Sequence, residues 1–159
     1  MWSGRLLAMD SIILVILFWL LLVVSCGYAL WRGRKYERIA ALICILATVL
    51  SIVGHMLVRR YQPDYSGVEV GDLVVDGSML AAFILIALRS DRFWPLWVAG
   101  LQLTISISHL LKAAKPDLLP MAYGAAERFW SYPILAILFV AAWRQHRRMT
   151  SQHPETAVT

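Results

Sequence analysis

The side chains best suited to chemistry in this sequence are two histidines and an aspartate, His55, His109 and Asp76, which lie inside otherwise apolar runs. Ionisable residues within hydrophobic segments are costly and by default mark functional sites. Two imidazoles and a carboxylate can hold a divalent metal, with Asp76 as a ligand or as the group that orients a histidine. No two of the three are close in sequence, so the local spacing of a metal motif is absent.

Two other chemistries fit the same residues. His55 and His109 could be the axial ligands of a b-type haem held between two helices. Alternatively, Asp76 and the histidines could relay protons, because histidine changes its protonation near neutral pH. The structural alternative is that these groups only hydrogen-bond between helices, where each contact contributes about 0.6 kcal/mol. The cofactor therefore stays open between haem b, a divalent metal and none.

Further polar residues surround these three at helical spacing. Ser51 precedes His55 by one turn, and Gln102, Ser106 and His109 fall at i, i+4 and i+7, so each set occupies one helix face. Two charged residues at the start of the last apolar run are expected at the rim. The complete candidate cluster is His55, Asp76, His109, Gln102, Ser106, Ser51, Glu127 and Arg128.

These residues belong to a chain built from long hydrophobic runs. Of its 159 residues 60% are hydrophobic and 16% charged, whereas soluble domains carry about a quarter charged residues. About 20 apolar residues of helix cross a bilayer, and lipid offers backbone amides no other partner. We predict an all-α polytopic transmembrane helix bundle, with four spans as the alternative because the third and last runs are short. The five spans are residues 11–31, 39–58, 70–88, 93–111 and 120–145.

Basic residues predict the orientation of the bundle. Nine Lys and Arg residues fall on the side of the first and third loops and the C-terminal tail, and six on the other side. The positive-inside rule then places the N-terminus outside and the C-terminus inside. His55, Asp76 and His109 should consequently lie at similar depth in the outer leaflet. Residues 1–148 form one transmembrane domain in this scheme, and residues 149–159 a disordered cytoplasmic tail.

The remaining features argue against enzymatic or nucleic-acid chemistry. The net charge of +5 comes from basic residues that flank hydrophobic runs, which is typical of lipid-headgroup contacts and not of a nucleic-acid surface. Cys26 and Cys44 lack CxxC spacing and are expected to be packing residues. Gly77 and Ala81 form a small-xxx-small pair that predicts a close helix contact. No Walker loop, HExxH, GxSxG or EF-hand sequence occurs, so no enzymatic activity is expected.

Two stretches, WRGRKYERIAA at residues 31–41 and RSDRFWPLW at residues 89–97, resemble parts of small bacterial membrane proteins of no assigned activity. The resemblance implies a multi-pass protein of the bacterial inner membrane and carries over no functional residue. We expect an accessory protein that packs within a membrane assembly, with the lipid bilayer, a second copy or a larger complex as partner. The alternatives are metal or b-haem binding through His55, Asp76 and His109, and a small transporter or proton-conducting oligomer.

Overall fold

In the computed structural model, the described residues form five α-helices. They are α1 (Ser3–Arg32), α2 (Lys35–Tyr61), α3 (Ser66–Arg89), α4 (Trp94–Ala114) and α5 (Pro120–Ser151). The structure describes the backbone of residues 3–61, 66–114 and 120–151, and the side chains of residues 12–57, 71–111 and 129–148. No strand occurs in these ranges, so the prediction of an all-α fold is confirmed. Helix α5 continues as far as Ser151, and the rest of the tail expected to be disordered lies outside the described residues.

Within the described residues, three helical stretches are long and apolar enough to cross a membrane. The qualifying stretches are Ile12–Arg32, Lys35–Leu57 and Gly71–Arg89, with mean hydropathies of 2.7, 2.4 and 1.9. Large apolar side chains on α1, such as Ile16 and Val23, are 60% and 65% exposed, as residues that face lipid are. The helices therefore indicate a membrane location, while five spans and their direction stay predictions.

The helices pack as a ring in sequence order. Each of α1 to α4 contacts the helix that follows it, α5 contacts α1, and a smaller contact joins α2 to α5. Short connections at residues 33–34 and 90–93 make the helices they join antiparallel. Small side chains occupy much of the core, which lets helices approach closely. They are Cys26, Ala29, Ala40, Ala41, Cys44 and Ala142, and both cysteines are free thiols.

The two ends of the helix bundle carry different kinds of polar side chains. We call the end formed by the α1–α2 connection, the α3–α4 connection and the last turns of α5 the basic end. There the Tyr36 hydroxyl donates to the Arg89 carbonyl at 2.7 Å and links the two connections. Glu37 Oε2 accepts the Arg34 backbone N–H at 3.1 Å, which caps α2. The candidate histidines and aspartate belong to the opposite end.

Gly33 lets α1 turn directly into α2. Its amide donates to the Ala29 carbonyl at 2.9 Å, and its own carbonyl accepts from Arg38 Nε at 2.9 Å. A Cβ at this position would collide with the Ala29 carbonyl oxygen and crowd the Glu37 Cβ. Only glycine fits this close approach, so the geometry of the basic end depends on it.

The small-xxx-small pair on α3 does not make the contact expected of it within this chain. Gly77 and Ala81 are exposed, and a Cβ on Gly77 would meet no atom within 4 Å. The inward face of α3 instead follows Asp76 and Phe83, two turns apart, and Phe83 is 1% exposed. The partly buried Asp76 and the buried Phe83 therefore mark the face of α3 that points inward.

Candidate functional site

One carboxylate, that of Asp76 on α3, contacts two polar side chains of α4. Its Oδ1 accepts a hydrogen bond from Gln102 Nε2 at 2.9 Å, and its Oδ2 lies 2.9 Å from His109 Nε2. Gln102 is 1% exposed and His109 7% exposed, so both contacts are inside the bundle. Since Gln102 and His109 are two turns apart on one face of α4, they bracket the carboxylate between them.

The His109–Asp76 contact pairs an imidazole nitrogen with a carboxylate oxygen. Asp76 Oδ2 lies 2.9 Å from His109 Nε2, and the two side chains are 20% and 7% exposed. The contact is an ion pair when the imidazole is protonated. Gln102 supplies the directional bond, and a hydrogen bond to an ionised acceptor is roughly twice as strong as one between neutral groups.

A second histidine–aspartate pair joins α2 to α3. His55 Nε2 lies 3.4 Å from Asp72 Oδ2, with the side chains 42% and 20% exposed. His55 Nδ1 is 2.7 Å from the Ser51 carbonyl oxygen, which can only accept, so Nδ1 carries a hydrogen. Nε2 then attracts the Asp72 carboxylate only when the ring holds a second proton. This pair is longer than the one at Asp76, and its histidine is more exposed than His109.

The expected single cluster of His55, Asp76 and His109 is divided into two pairs. Asp72 and Asp76 are four residues apart on α3, about 6 Å along the axis, and each contacts a different histidine. Asp76 and His109 come together as expected, but His55 contacts Asp72. Within the described side chains, no three His, Cys, Asp or Glu residues are arranged to hold a metal ion.

The other residues of the predicted polar cluster either make local contacts or lie outside the described residues. Gln102 joins the cluster directly, while the Ser106 hydroxyl donates to the Gln102 carbonyl within α4 at 3.0 Å. Ser51 takes part through its backbone carbonyl. The side chains of Glu127 and Arg128 lie outside the described residues.

A small cavity of about 130 Å³ adjoins the cluster. Asp76 and Gln102 line it together with Cys44, Thr48 and Ser131, and the other lining residues are apolar. The Thr48 hydroxyl is already bonded to the Cys44 carbonyl at 2.9 Å. The space is large enough for water, and the polar side chains on its wall could bind it, although most of the lining is apolar. The Asp76 carboxylate is thus both a helix contact and part of a cavity wall.

Sequence reasoning misses a buried carboxylate, that of Glu37 at the basic end. It is 1% exposed, and its Oε1 lies 3.6 Å from an Arg92 guanidinium nitrogen. Its place among charged residues between two hydrophobic runs makes it resemble a solvated loop residue. Its position three residues after Arg34, where a capping glutamate reaches back to the helix start, is the signal that could have found it.

Comparison of the chain with protein-family models, with curated proteins and with solved structures finds no match in any of the three.

Proposed function

We propose that the protein is a small, non-enzymatic, multi-pass membrane protein that packs as an accessory component of a membrane assembly, and that Asp76 ties α3 to α4. The main support for this role is that both oxygens of the Asp76 carboxylate have partners on α4. One oxygen accepts from Gln102 and the other faces His109, both at 2.9 Å. A carboxylate engaged on both oxygens is satisfied in lipid, where an unpaired one would be very costly.

Five spans, an N-out and C-in orientation and a bacterial inner-membrane location complete this proposal. Helices α4 and α5 pack beside the three apolar helices, which supports their crossing the membrane with them. At the basic end Trp31, Trp97 and Trp143 are 72%, 70% and 43% exposed, as expected for an interfacial aromatic belt. The basic residues at that end favour the cytoplasmic side.

The link that Asp76 makes between α3 and α4 is tested with Asp76→Asn in the purified full chain. Asparagine still accepts from Gln102 but loses the charge that attracts His109, so the midpoint of thermal unfolding in detergent should fall. Thr104→Val is the matched control, because its hydroxyl bonds only to the Gly100 carbonyl of its own helix. An Asp76→Asn protein as stable as the control would show that the carboxylate does not hold the helices.

Assembly is tested by chemical crosslinking of the full chain in its native membranes. An accessory component should give a discrete species larger than the 18.0 kDa chain. Gly77→Leu and Gly100→Leu place larger side chains on two outer faces of the chain, where a partner could pack. A Cβ at either position would have no other part of the chain within 4 Å. A chain that crosslinks to nothing in its native membranes would contradict an accessory role.

A second candidate, a proton- or cation-conducting oligomer, is favoured by the cavity that Asp76 lines. Proteoliposomes with a pH-sensitive dye inside and an imposed membrane potential would measure this activity. The transport function predicts a flux that Asp76→Asn abolishes while another, equally destabilised variant keeps it. Absence of any flux dependent on Asp76 would rule this candidate out.

Metal and haem binding stay predictions. His55 and His109 contact different aspartates, which gives neither alternative direct support. Stoichiometric metal or a Soret band in the purified protein would establish them.

A further inference from the structure

We propose that a cleft at the basic end binds the phosphate headgroup of an anionic phospholipid. The cleft lies between the start of α2, the α3–α4 connection and the second half of α5, and has a volume of about 940 Å³. Pockets for small molecules typically measure about 300–1,000 Å³. This site is separate from the Asp76 cluster, and it does not depend on the function proposed for that cluster.

The lining of the cleft is strongly basic. It contains five basic and two acidic side chains, which are Arg34, Lys35, Arg92, Arg144, Arg148, Glu37 and Asp91. Glu37 lies next to Arg92 and offsets its charge. Among the described residues no carboxylate pairs with Arg34, Lys35 or Arg144, and all three are exposed. Guanidinium groups bind phosphate oxygens in a bidentate manner, so this arrangement suits a phosphate group.

Three buried polar atoms in the same lining have no hydrogen-bond partner among the described residues. One is Glu37 Oε1, which the Arg92 guanidinium approaches to 3.6 Å. The other two are Trp94 Nε1 and Gln145 Oε1, and Gln145 is only 4% exposed. Such groups are rare in folded proteins and each requires an explanation. The indole N–H can only donate, and would suit a phosphate or ester oxygen, whereas the amide oxygen would accept from a hydroxyl. A phosphoglycerol headgroup offers both kinds of group.

The apolar part of the lining indicates a lipid more than a soluble phosphate. Ala136, Ile137 and Val140 extend the cleft along α5 for about 12 Å from Arg144 toward the middle of the bundle. Phe93 and Val140 are 83% and 45% exposed, so this wall is open to the side. Acyl chains would cover these residues while the phosphate reaches the arginines, and basic pockets between transmembrane helices recur as headgroup sites.

The test uses the purified full chain in detergent, titrated with phosphatidylglycerol or phosphatidylcholine while the midpoint of thermal unfolding is measured. The cleft variant is Arg34→Gln with Arg144→Gln. The control, Arg32→Gln with Arg147→Gln, removes the same charge from exposed residues that do not line the cleft. Far-UV circular dichroism without lipid verifies that both variants remain folded.

We expect phosphatidylglycerol to stabilise the wild type more than phosphatidylcholine does. The cleft variant should bind phosphatidylglycerol about 30-fold more weakly, about fivefold per arginine, as is typical of basic residues near anionic lipid. The control should keep most of the affinity. Equal stabilisation by the two lipids, or equal weakening in both variants, would overturn the proposal. Displacement of phosphatidylglycerol by millimolar inorganic phosphate would also overturn it, because the ligand would then be a free phosphate compound.

Discussion

Replacement of Gln102 by leucine should destabilise the bundle by removing one of the two partners of Asp76. The substitution deletes the amide that donates to Asp76 Oδ1 at 2.9 Å and leaves the apolar contacts of a side chain that is 1% exposed. Loss of an interhelical hydrogen bond in a membrane protein costs about 0.6 kcal/mol, and at most about 1.7 kcal/mol. An acceptor left buried without a partner adds about 1–3 kcal/mol.

Asp76 is 20% exposed and lines the small cavity, so water can replace part of the lost bond. We therefore expect a total loss of about 1–3 kcal/mol in the free energy of unfolding. Reversible unfolding of the full chain in mixed micelles, followed by far-UV circular dichroism, measures this value.

A double-mutant cycle with Asp76→Leu separates the contact from general packing. If the amide acts through the carboxylate, Gln102→Leu should cost much less once residue 76 is leucine, with a coupling energy of at least about 0.5 kcal/mol. Thr104→Val on the exposed face of α4 should leave stability nearly unchanged. A Gln102→Leu protein as stable as Thr104→Val, or a coupling energy near zero, would refute the tie.

Three further substitutions test the contacts that shape the bundle, each by the same unfolding measurement. Gly33→Ala should lower the free energy of unfolding by about 1–3 kcal/mol, because the new Cβ meets the Ala29 carbonyl oxygen. Gly100→Ala is the control and should be neutral or stabilising, because there is open space around Gly100. Equal effects at both positions would contradict the turn at Gly33. Glu37→Gln should destabilise by less than about 1 kcal/mol, since it removes a negative charge from the start of α2; an increase in stability would contradict a capping role. Tyr132→Phe should lower the free energy of unfolding by about 0.5–1.5 kcal/mol, because the Tyr132 hydroxyl donates to the Leu14 carbonyl at 2.8 Å and joins α5 to α1. No change would indicate that this hydrogen bond does not form.

The class and positions of the helices could be predicted because lipid-spanning helices need long runs without charge. The run at residues 93–111 predicts a helix that the structure places at Trp94–Ala114, with Pro95 in its first turn. Such runs report hydrophobicity along the chain, and this property depends little on the neighbouring helices.

The rotation of α3 could not be predicted in the same way. The sequence contains two competing faces, one with Gly77 and Ala81 and one with Asp76 and Phe83, and both have helical spacing. The second face points inward because Gln102 and His109 on α4 bind its carboxylate. Small residues mark a close helix contact only when another helix lies against them.

The partner of His55 depends on the axial position of α2 relative to α3. Asp72 and Asp76 share a face, so a shift of one turn, about 6 Å, exchanges one for the other. Spacing within each helix cannot determine that offset. The basic cleft was missed for a related reason, since it combines residues such as Arg34, Trp94 and Gln145 from three separate parts of the chain.

The distance between Asp76 and His109 in a lipid bilayer tests the central claim that one carboxylate ties α3 to α4. Solid-state NMR on the full chain in bilayers, with labels on the Asp76 carboxyl carbon and His109 Nε2, measures it directly. The Oδ2–Nε2 separation of 2.9 Å predicts a carbon–nitrogen distance below about 4 Å. A distance beyond about 6 Å would mean that no direct contact joins the two groups, and the tie would be absent from the membrane form of the protein.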